Sequence, residues 1–377
     1  MNRHPDLLIV GAGIVGLAHA WAAVQRGWRV TVVERDRRCV GASVRNFGLV
    51  CVTGQSAGDT WRRARASRAV WATLAPQIGV PIAHEGLWLA AHRPEAAAVL
   101  QAFAAGPMGE GCTLLTPAQA AQQAPALRTA GLQAVLHSPH ELRLDSRQAV
   151  PRLAAWLAER HGVQFVFGDT VVQVQAPRVH TASGRVLQAP RVLLCPGTEL
   201  HGVGHALLAP HRLQLSQLQM LRLRPPAGFR LGGAVMGDLS LVRYGGFAAL
   251  PEAQALRQRL QHDEPASLAA GIHLIVVQNT DGTLVVGDSH RTVDSAEPFG
   301  NEAIDALLRR HLQQALALPD DPAACPVLQR WTGVYPTGAH ADCLIEAPDD
   351  ATRLVLVTSG TGASTAFGIA QEVLAGW

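Results

Sequence analysis

Asp6-Leu-Leu-Ile-Val10-Gly11-Ala12-Gly13-Ile14-Val15-Gly16, completed by Glu34-Arg35, is the stretch that decides the fold. The apolar run Leu7 to Val10 reads as a buried parallel strand, Ile14 to Gly27 as a helix, and Arg29 to Glu34 as a second strand. Strand, glycine loop, helix and acid-terminated strand make a βαβ unit with the spacing of a dinucleotide site. Gly11 permits the tight turn, Gly13 bares backbone for a pyrophosphate, and Gly16 lets helix and strand approach. Free N–H groups of the helix start, around Ala12, Ile14 and Val15, favour phosphate. Glu34 is placed to accept both ribose hydroxyls. A carboxylate there disfavours a 2′-phosphate, so FAD or NAD is expected over NADP.

A chain of 377 residues exceeds one ordinary core, and two domains are expected. Hydrophobic content of 48% with 16% charged residues describes a soluble globular protein. No apolar run is long enough to span a bilayer. The first strand begins near Leu7, which leaves no room for a signal peptide. The six cysteines are scattered without a C-x-x-C pair, so neither a metal site nor a dithiol couple is expected, and a cytoplasmic location is. All 32 Lys+Arg residues are Arg, so any anion clamp must be built from Arg or His. Arg62, Arg63, Arg65 and Arg68 fall at helical spacing and read as a solvated face; without stacking aromatics they suggest no nucleic-acid partner.

Downstream, Gly41-Ala42-Ser43-Val-Arg45-Asn46-Phe47-Gly48 reads either as a plain turn or as backbone, Ser and Arg contacts to a cofactor. Ser56 to Ile78 reads as a long helix with Trp61 and Trp71 in the core. Glu85 to Ala90 and Ala134 to His137 read as strands, Pro94 to Ala104 and Pro117 to Ala124 as short helices. His137 and His140 are expected in a Pro-containing loop. Asp145-Ser146 caps a helix to His161. Gln164 to Phe167, Thr170 to Val174 and Val179 to Val186 read as a β meander. It delivers the strand Arg191 to Cys195-Pro196-Gly197, which is expected to return to the first sheet. Leu213 to Arg224, Leu239 to Tyr244, Ile272 to Gln278 and Thr283 to Asp288 suggest a second, mostly antiparallel sheet, with Asp281-Gly282 as a hairpin turn. A helix from Glu302 to Leu318 precedes the Trp331-Thr-Gly333-Val-Tyr335 segment. The strand Leu354 to Thr358 then runs into Gly360-Thr361-Gly362-Ala363-Ser364-Thr365 and a last helix. NAD domains do not need that second glycine-rich junction.

This ordered set resembles the FAD-dependent D-amino acid oxidase superfamily, which includes glycine and sarcosine oxidases. Its anchors are Gly11–Gly16 with Glu34, Gly41-Ala-Ser43, the Val171-Val172 strand, Cys195-Pro-Gly197, Trp331-Thr-Gly333 and Gly360 to Thr365. The resemblance implies an α/β fold: a discontinuous Rossmann-like FAD-binding domain (1–80, 140–212, 320–377) and an antiparallel substrate domain (81–139, 213–319). It implies backbone contact of Val172 with adenine, and places Ser43, Arg45, Asn46 and the Thr361–Thr365 turn near the flavin. It implies an amine substrate whose imine hydrolyses to an aldehyde and a smaller amine, and O₂ or another electron acceptor. Sarcosine oxidases tether the flavin through a Cys two residues before an active-site Tyr. Gly333 stands there, so FAD is expected to be non-covalent. Glycine oxidase carries a carboxylate-clamping Arg where this chain has Tyr335. The Val44 to Gly48 stretch resembles a subgroup associated with breakdown of 2-aminoethylphosphonate and its N-alkyl relatives.

Tyr335 is the first candidate for the substrate site, against a core tyrosine with a satisfied hydroxyl. Arg243 and Tyr244, at an expected strand end, are either anion ligands or a surface pair. His273 and His290, expected on sheet strands, are either structural or catalytic, and with Arg45 they are the cations available in place of the Lys that sarcosine oxidases set beside the flavin. Trp331 and Arg330 complete the set, Arg330 pairing either with a substrate anion or with a neighbouring carboxylate. An NAD-linked dehydrogenase and a non-catalytic FAD protein are the rival readings.

Overall fold

Leu7, Leu8 and Ile9 are wholly buried, as a strand covered on both faces requires. The computed structural model describes residues 4–338 and 341–377. In it the expected βαβ unit forms: strand Leu7–Val10, helix Ile14–Val24 and parallel strand Val30–Glu34. The sheet order is Cys343–Glu346, Thr352–Val357, Val192–Leu194, Leu7–Val10, Val30–Glu34 and Gln164–Phe167. All neighbours run parallel except the edge pair formed by Cys343–Glu346 and Thr352–Val357. Val192–Leu194 returns beside the first strand as expected, and the Cys195 N–H donates to Val10 O at 2.8 Å. Three distant helices meet on one ring. Phe367 of the last helix, Gly362–Ala375, is met edge-on by Trp21 at 5.4 Å and by Trp71 of helix Asp59–Gln77 at 5.1 Å. Trp71 is therefore core, whereas Trp61 is half-buried under the Arg65 guanidinium.

The second sheet holds the strands Arg291–Val293, Gln214–Leu223, Leu284–Gly287, Ile275–Gln278, Ala234–Met236, Ile82–Ala91, Ala134–Leu144 and Leu49–Val50 in that order. Val327–Thr337 pairs along Gln214–Leu223, and Thr113–Leu115 pairs with Ala134–Leu144. Pairing is antiparallel except between Ala234–Met236 and Ile82–Ala91. The long pairing of Val327–Thr337 brings a late stretch of chain into this sheet and sets Tyr335 opposite Ser216.

Four expectations need correction. Gln164–Phe167 joins the parallel sheet beside Val30–Glu34 and not the meander, because the helix Ser146–His161 carries the chain back across the sheet. The meander keeps Val171–Gln175, Arg178–Thr181 and Val186–Gln188. His137 and His140 lie within strand Ala134–Leu144. Pro139 is tolerated there because the partner strand is irregular between Glu85 and Leu87. Leu239 to Tyr244 is a helical turn, Asp238–Leu241, and not a strand: Asp238 is locked by Arg93, and the Ser240 hydroxyl bonds the His273 carbonyl. His273 and His290 precede strands Ile275–Gln278 and Arg291–Val293, so both sit on loops at strand mouths.

Candidate active site

The glycine loop is built by close approach. A Cβ at Gly11 would stand 2.4 Å from Cys195 O, and φ there is +104°, so only glycine lets the loop pass the neighbouring strand end. The Glu34 carboxylate braces this loop: Oε2 accepts from the Ala12 N–H at 2.8 Å and Oε1 from the Asp36 N–H at 3.1 Å. At the helix start, the Ile14 N–H donates to Ser43 Oγ at 2.9 Å, which leaves the Ser43 O–H free to donate into the groove. The groove has a volume of about 590 Å³ and is lined by Gly11, Gly13, Glu34, Val172, Pro196 and Gly197. Arg35 lines it too, with its guanidinium held by Glu199 at 2.5 Å.

A narrow space of about 100 Å³ continues this groove, sharing with it Gly13, Ala42, Ser43, Cys195 and Gly197. It in turn shares Asn46, Leu218, Tyr335, Gly360 and Ala363 with a pocket of about 380 Å³. One continuous channel thus runs from the acid-terminated strand to the mouth of the second sheet.

That pocket is lined by Arg243, Tyr244, His273, Asp288, His290 and Tyr335, with Gln55, Ser56 and Asp342 beside them. The Arg243 guanidinium makes its one hydrogen bond among the described residues to the Tyr335 hydroxyl, at 3.3 Å. The Tyr335 phenol is pushed up by burial, although Arg243 opposes the shift. Asp288 stands between two imidazoles: Oδ1 is 2.9 Å from His273 Nε2 and Oδ2 is 3.5 Å from His290 Nε2. The His273 contact lies off the line of a hydrogen bond, so Oδ1 has no hydrogen-bond partner among the described residues. Burial works against the charge on Asp288, but His290, His273 and Arg243 hold its pKa down to about 2. Burial pushes His290 down to about 3. The two imidazole rings stack at 4.9 Å, with Tyr244 edge-on to His273 and Tyr335 edge-on to His290.

A family model described as FAD-dependent oxidoreductase matches residues 6–375. The chain belongs to this DAO family. An opine oxidase subunit from Rhizobium meliloti is 26% identical over 347 residues, covering 87% of this chain and 81% of that protein. Glycine oxidase from Bacillus cereus superposes with a TM-score of 0.77 at 16% identity, over 98% of this chain and 96% of the other. FAD-bound L-α-glycerophosphate oxidase from Mycoplasma pneumoniae gives 0.74 at 16% identity, over 100% and 95%. The fold is accordingly the α/β arrangement expected, a parallel cofactor sheet with a mostly antiparallel partner sheet, and the DAO protein is an FAD-dependent oxidoreductase. The groove fits that cofactor: bare glycine backbone, a free Ser43 hydroxyl and a carboxylate already oriented by Ala12 lie along one face.

The DAO fold brings most of the candidate residues together and sets some apart. Asn46 lines the channel, but its amide is consumed by its own loop, donating to Ala42 O and Ser43 O and accepting from the Gly48 N–H. Arg45 donates to Val40 O, and Phe47 forms an apolar wall of the pocket. Gly333 has no room for a tethering side chain, since a Cβ there would meet Arg45 O at 2.8 Å. Ser364 accepts from the Cys51 N–H, and Thr365 is buried with its hydroxyl on Thr361 O. Two candidates are displaced. Arg330 is consumed by Asp305, and Trp331 donates to Arg45 O beneath the Arg147 guanidinium; both border a separate surface cleft. They lie on the same strand as Tyr335, Val327–Thr337, but toward its other end, which accounts for this. Asp288 escaped the sequence reading, although the Asp288-Ser-His290 spacing at a strand end was a usable signal.

Proposed function

We propose that this DAO enzyme oxidises a small secondary amine that carries a remote anion, with N-methyl-2-aminoethylphosphonate as the sharpest candidate and sarcosine-like amino acids as the second. The observation that carries the reading is Arg243, a guanidinium with no carboxylate partner among the described residues, reaching the Tyr335 hydroxyl in the pocket that opens onto the cofactor channel.

Bound FAD supplies the hydride acceptor. The chain binds and orients. Arg243 and the Tyr335 hydroxyl offer donors to an anion, and a phosphonate presents more charge and more acceptor oxygens than a carboxylate. Ser56, Ser359 and Thr361 add hydroxyls to the same lining, which suits a tetrahedral group. Phe47, Leu49 and Leu218 exclude water from the side facing the channel. Tyr335 in place of an in-line Arg argues against an α-amino acid held as glycine oxidase-like sites are expected to hold it. Non-covalent FAD is supported by the closed space at Gly333. Similarity to an opine oxidase subunit supports an amine substrate bearing anionic groups. Ser43, Glu34 and the backbone from Gly11 to Gly16 are the proposed holders of the pyrophosphate and ribose, with Val172 beside adenine.

Anaerobic rapid mixing with N-methyl-2-aminoethylphosphonate, sarcosine, glycine and D-alanine tests the substrate. The phosphonate is expected to bleach the flavin fastest. Faster bleaching by sarcosine or D-alanine transfers the assignment to an ordinary amino acid oxidase.

A further inference from the structure

Inside the pocket, the tautomer of His290 is dictated by a neighbour. Its Nδ1 lies 3.1 Å from the carbonyl oxygen of Gly271. A carbonyl only accepts, so Nδ1 must carry the hydrogen, and in the neutral ring Nε2 is then a bare lone pair. That lone pair faces Asp288 Oδ2 at 3.5 Å. Acceptor faces acceptor, an arrangement that is repulsive unless a proton or cation lies between them. The other carboxylate oxygen, Oδ1, is buried without a hydrogen-bond partner among the described residues, beside His273 Nε2 at 2.9 Å. Ligand atoms of His273, Asp288 and His290 all lie within 4.8 Å of one another. Asp288 and His290 thus converge acceptors, nine-tenths or more buried, with no donor between them among the described residues.

None of the described groups facing the cluster donates a hydrogen bond into it. Tyr244 and Tyr335 present ring edges, at 5.6 Å to His273 and 6.0 Å to His290. Arg243 stabilises the Asp288 charge through space but directs its hydrogen bond to the Tyr335 hydroxyl. Asp342, the other carboxylate of the lining, already accepts from the Thr60 hydroxyl at 2.5 Å.

We propose that Asp288 Oδ1/Oδ2 and His290 Nε2 form the seat for the ammonium of the substrate, with the His273 ring packed beside the carboxylate. This rests on the amine-oxidising reading given above and names the half of the substrate that Arg243 does not address. An ammonium offers two or three N–H donors, enough to satisfy the orphaned Oδ1 side and the bare Nε2 together. Its charge offsets the cost of keeping an ionised carboxylate in a buried site. The pocket then selects a molecule with both ends charged: anion toward Arg243 and Tyr335, cation toward Asp288 and His290.

The test compares binding of matched probes to the FAD-loaded protein by perturbation of the flavin spectrum. 2-Amino-2-methylpropylphosphonate has no C–H on its amine carbon and is not oxidised there; 2-methylpropylphosphonate is the same skeleton without the amine. 2-Aminoisobutyrate and isobutyrate form the equivalent carboxylate pair. Wild type is expected to bind the amine member of at least one pair about tenfold or more tighter than its deamino partner. Asp288→Asn is expected to reduce that preference to within about threefold while leaving the deamino affinity in place, and His290→Phe to reduce it in part. No preference in the wild type, a comparison that requires no variant to fold, overturns the proposal, as does a preference that survives Asp288→Asn. Stoichiometric Zn²⁺ binding that is lost in Asp288→Asn, without any amine preference, would reassign the cluster to a metal. Bleaching by amines in the substrate panel is read separately, so failure of the seat and failure of the amine-oxidising reading are distinguishable.

Discussion

Gly360 lies flat against the ring of Tyr335: a Cβ at position 360 would stand 2.9 Å from Tyr335 Cζ and 3.0 Å from Cε1. The glycine-rich turn that starts the last helix and the long strand of the second sheet therefore meet at one ring, which borders both the cofactor channel and the pocket. Gly360 also has φ of +75°, so alanine is penalised twice, by backbone and by contact. Gly360→Ala is expected to cost about 1–3 kcal/mol and to slow flavin reduction about tenfold or more by displacing Tyr335. Urea unfolding and single-turnover reduction measured on the same sample check both. A variant with wild-type rates would remove Tyr335 from the site.

Glu34 is expected to act through both the loop and the ligand. Its Oε2 holds the Ala12 N–H, and its carboxylate lines the groove. Glu34→Ala should weaken FAD binding about 10- to 100-fold, with the apoprotein still folded by circular dichroism. Recovery of flavin fluorescence on dilution measures the affinity. Unchanged affinity would place the ribose elsewhere.

Much of this was legible in the sequence, for identifiable reasons. The first sheet was readable because Leu7–Val10, the glycines and Glu34 are local signals with fixed spacing. The pocket was less so. Tyr335, Arg243 and His290 are far apart in the chain, and only pairing of Val327–Thr337 with Gln214–Leu223 and the loop positions before two strands unite them. Leu239 to Tyr244 reads as an apolar strand; the Arg93–Asp238 pair that turns it into a helix lies across 145 residues of sequence. Arg330 reads either as an anion ligand or as half of an ion pair, and the sequence leaves the choice open because its partner Asp305 sits on another element.

FAD is expected to leave the protein without chemical cleavage. A side chain at position 333 would collide with Arg45 O, so the tethering route is closed. Acid precipitation should put all the yellow colour in the supernatant. Colour retained in the pellet contradicts this.

Acid should destabilise the fold through buried neutral histidines. His19 is wholly buried, with Nδ1 on Val15 O, and burial depresses its pKa from 6.5 to about 4. The unfolded chain therefore binds more protons than the native one as pH falls below 6.5, and stability drops until the native pKa near 4 is passed. At pH 5 this one residue accounts for about 2 kcal/mol. His19→Leu should be close to wild type in urea at pH 8 and more stable than it at pH 5. Parallel pH profiles for the two proteins would refute the assignment.

Arg243→Ala should raise the apparent dissociation constant of an anionic amine about 10- to 100-fold and leave that of a neutral alkylamine of the same length within about threefold. Reduction rate against concentration for the two amines separates these outcomes. An equal loss for both would mean that Arg243 supports the pocket rather than the anion.

The central claim is that FAD in this channel takes its electrons from an amine carbon held in the Arg243–Asp288 pocket. The most direct measurement is anaerobic mixing of the enzyme with excess N-methyl-2-aminoethylphosphonate, sarcosine, glycine and D-alanine in turn, following flavin bleaching and trapping aldehyde. The anionic secondary amine is expected to bleach the flavin with one aldehyde formed per FAD reduced. Full retention of the yellow oxidised spectrum with every amine, and no aldehyde, would contradict it.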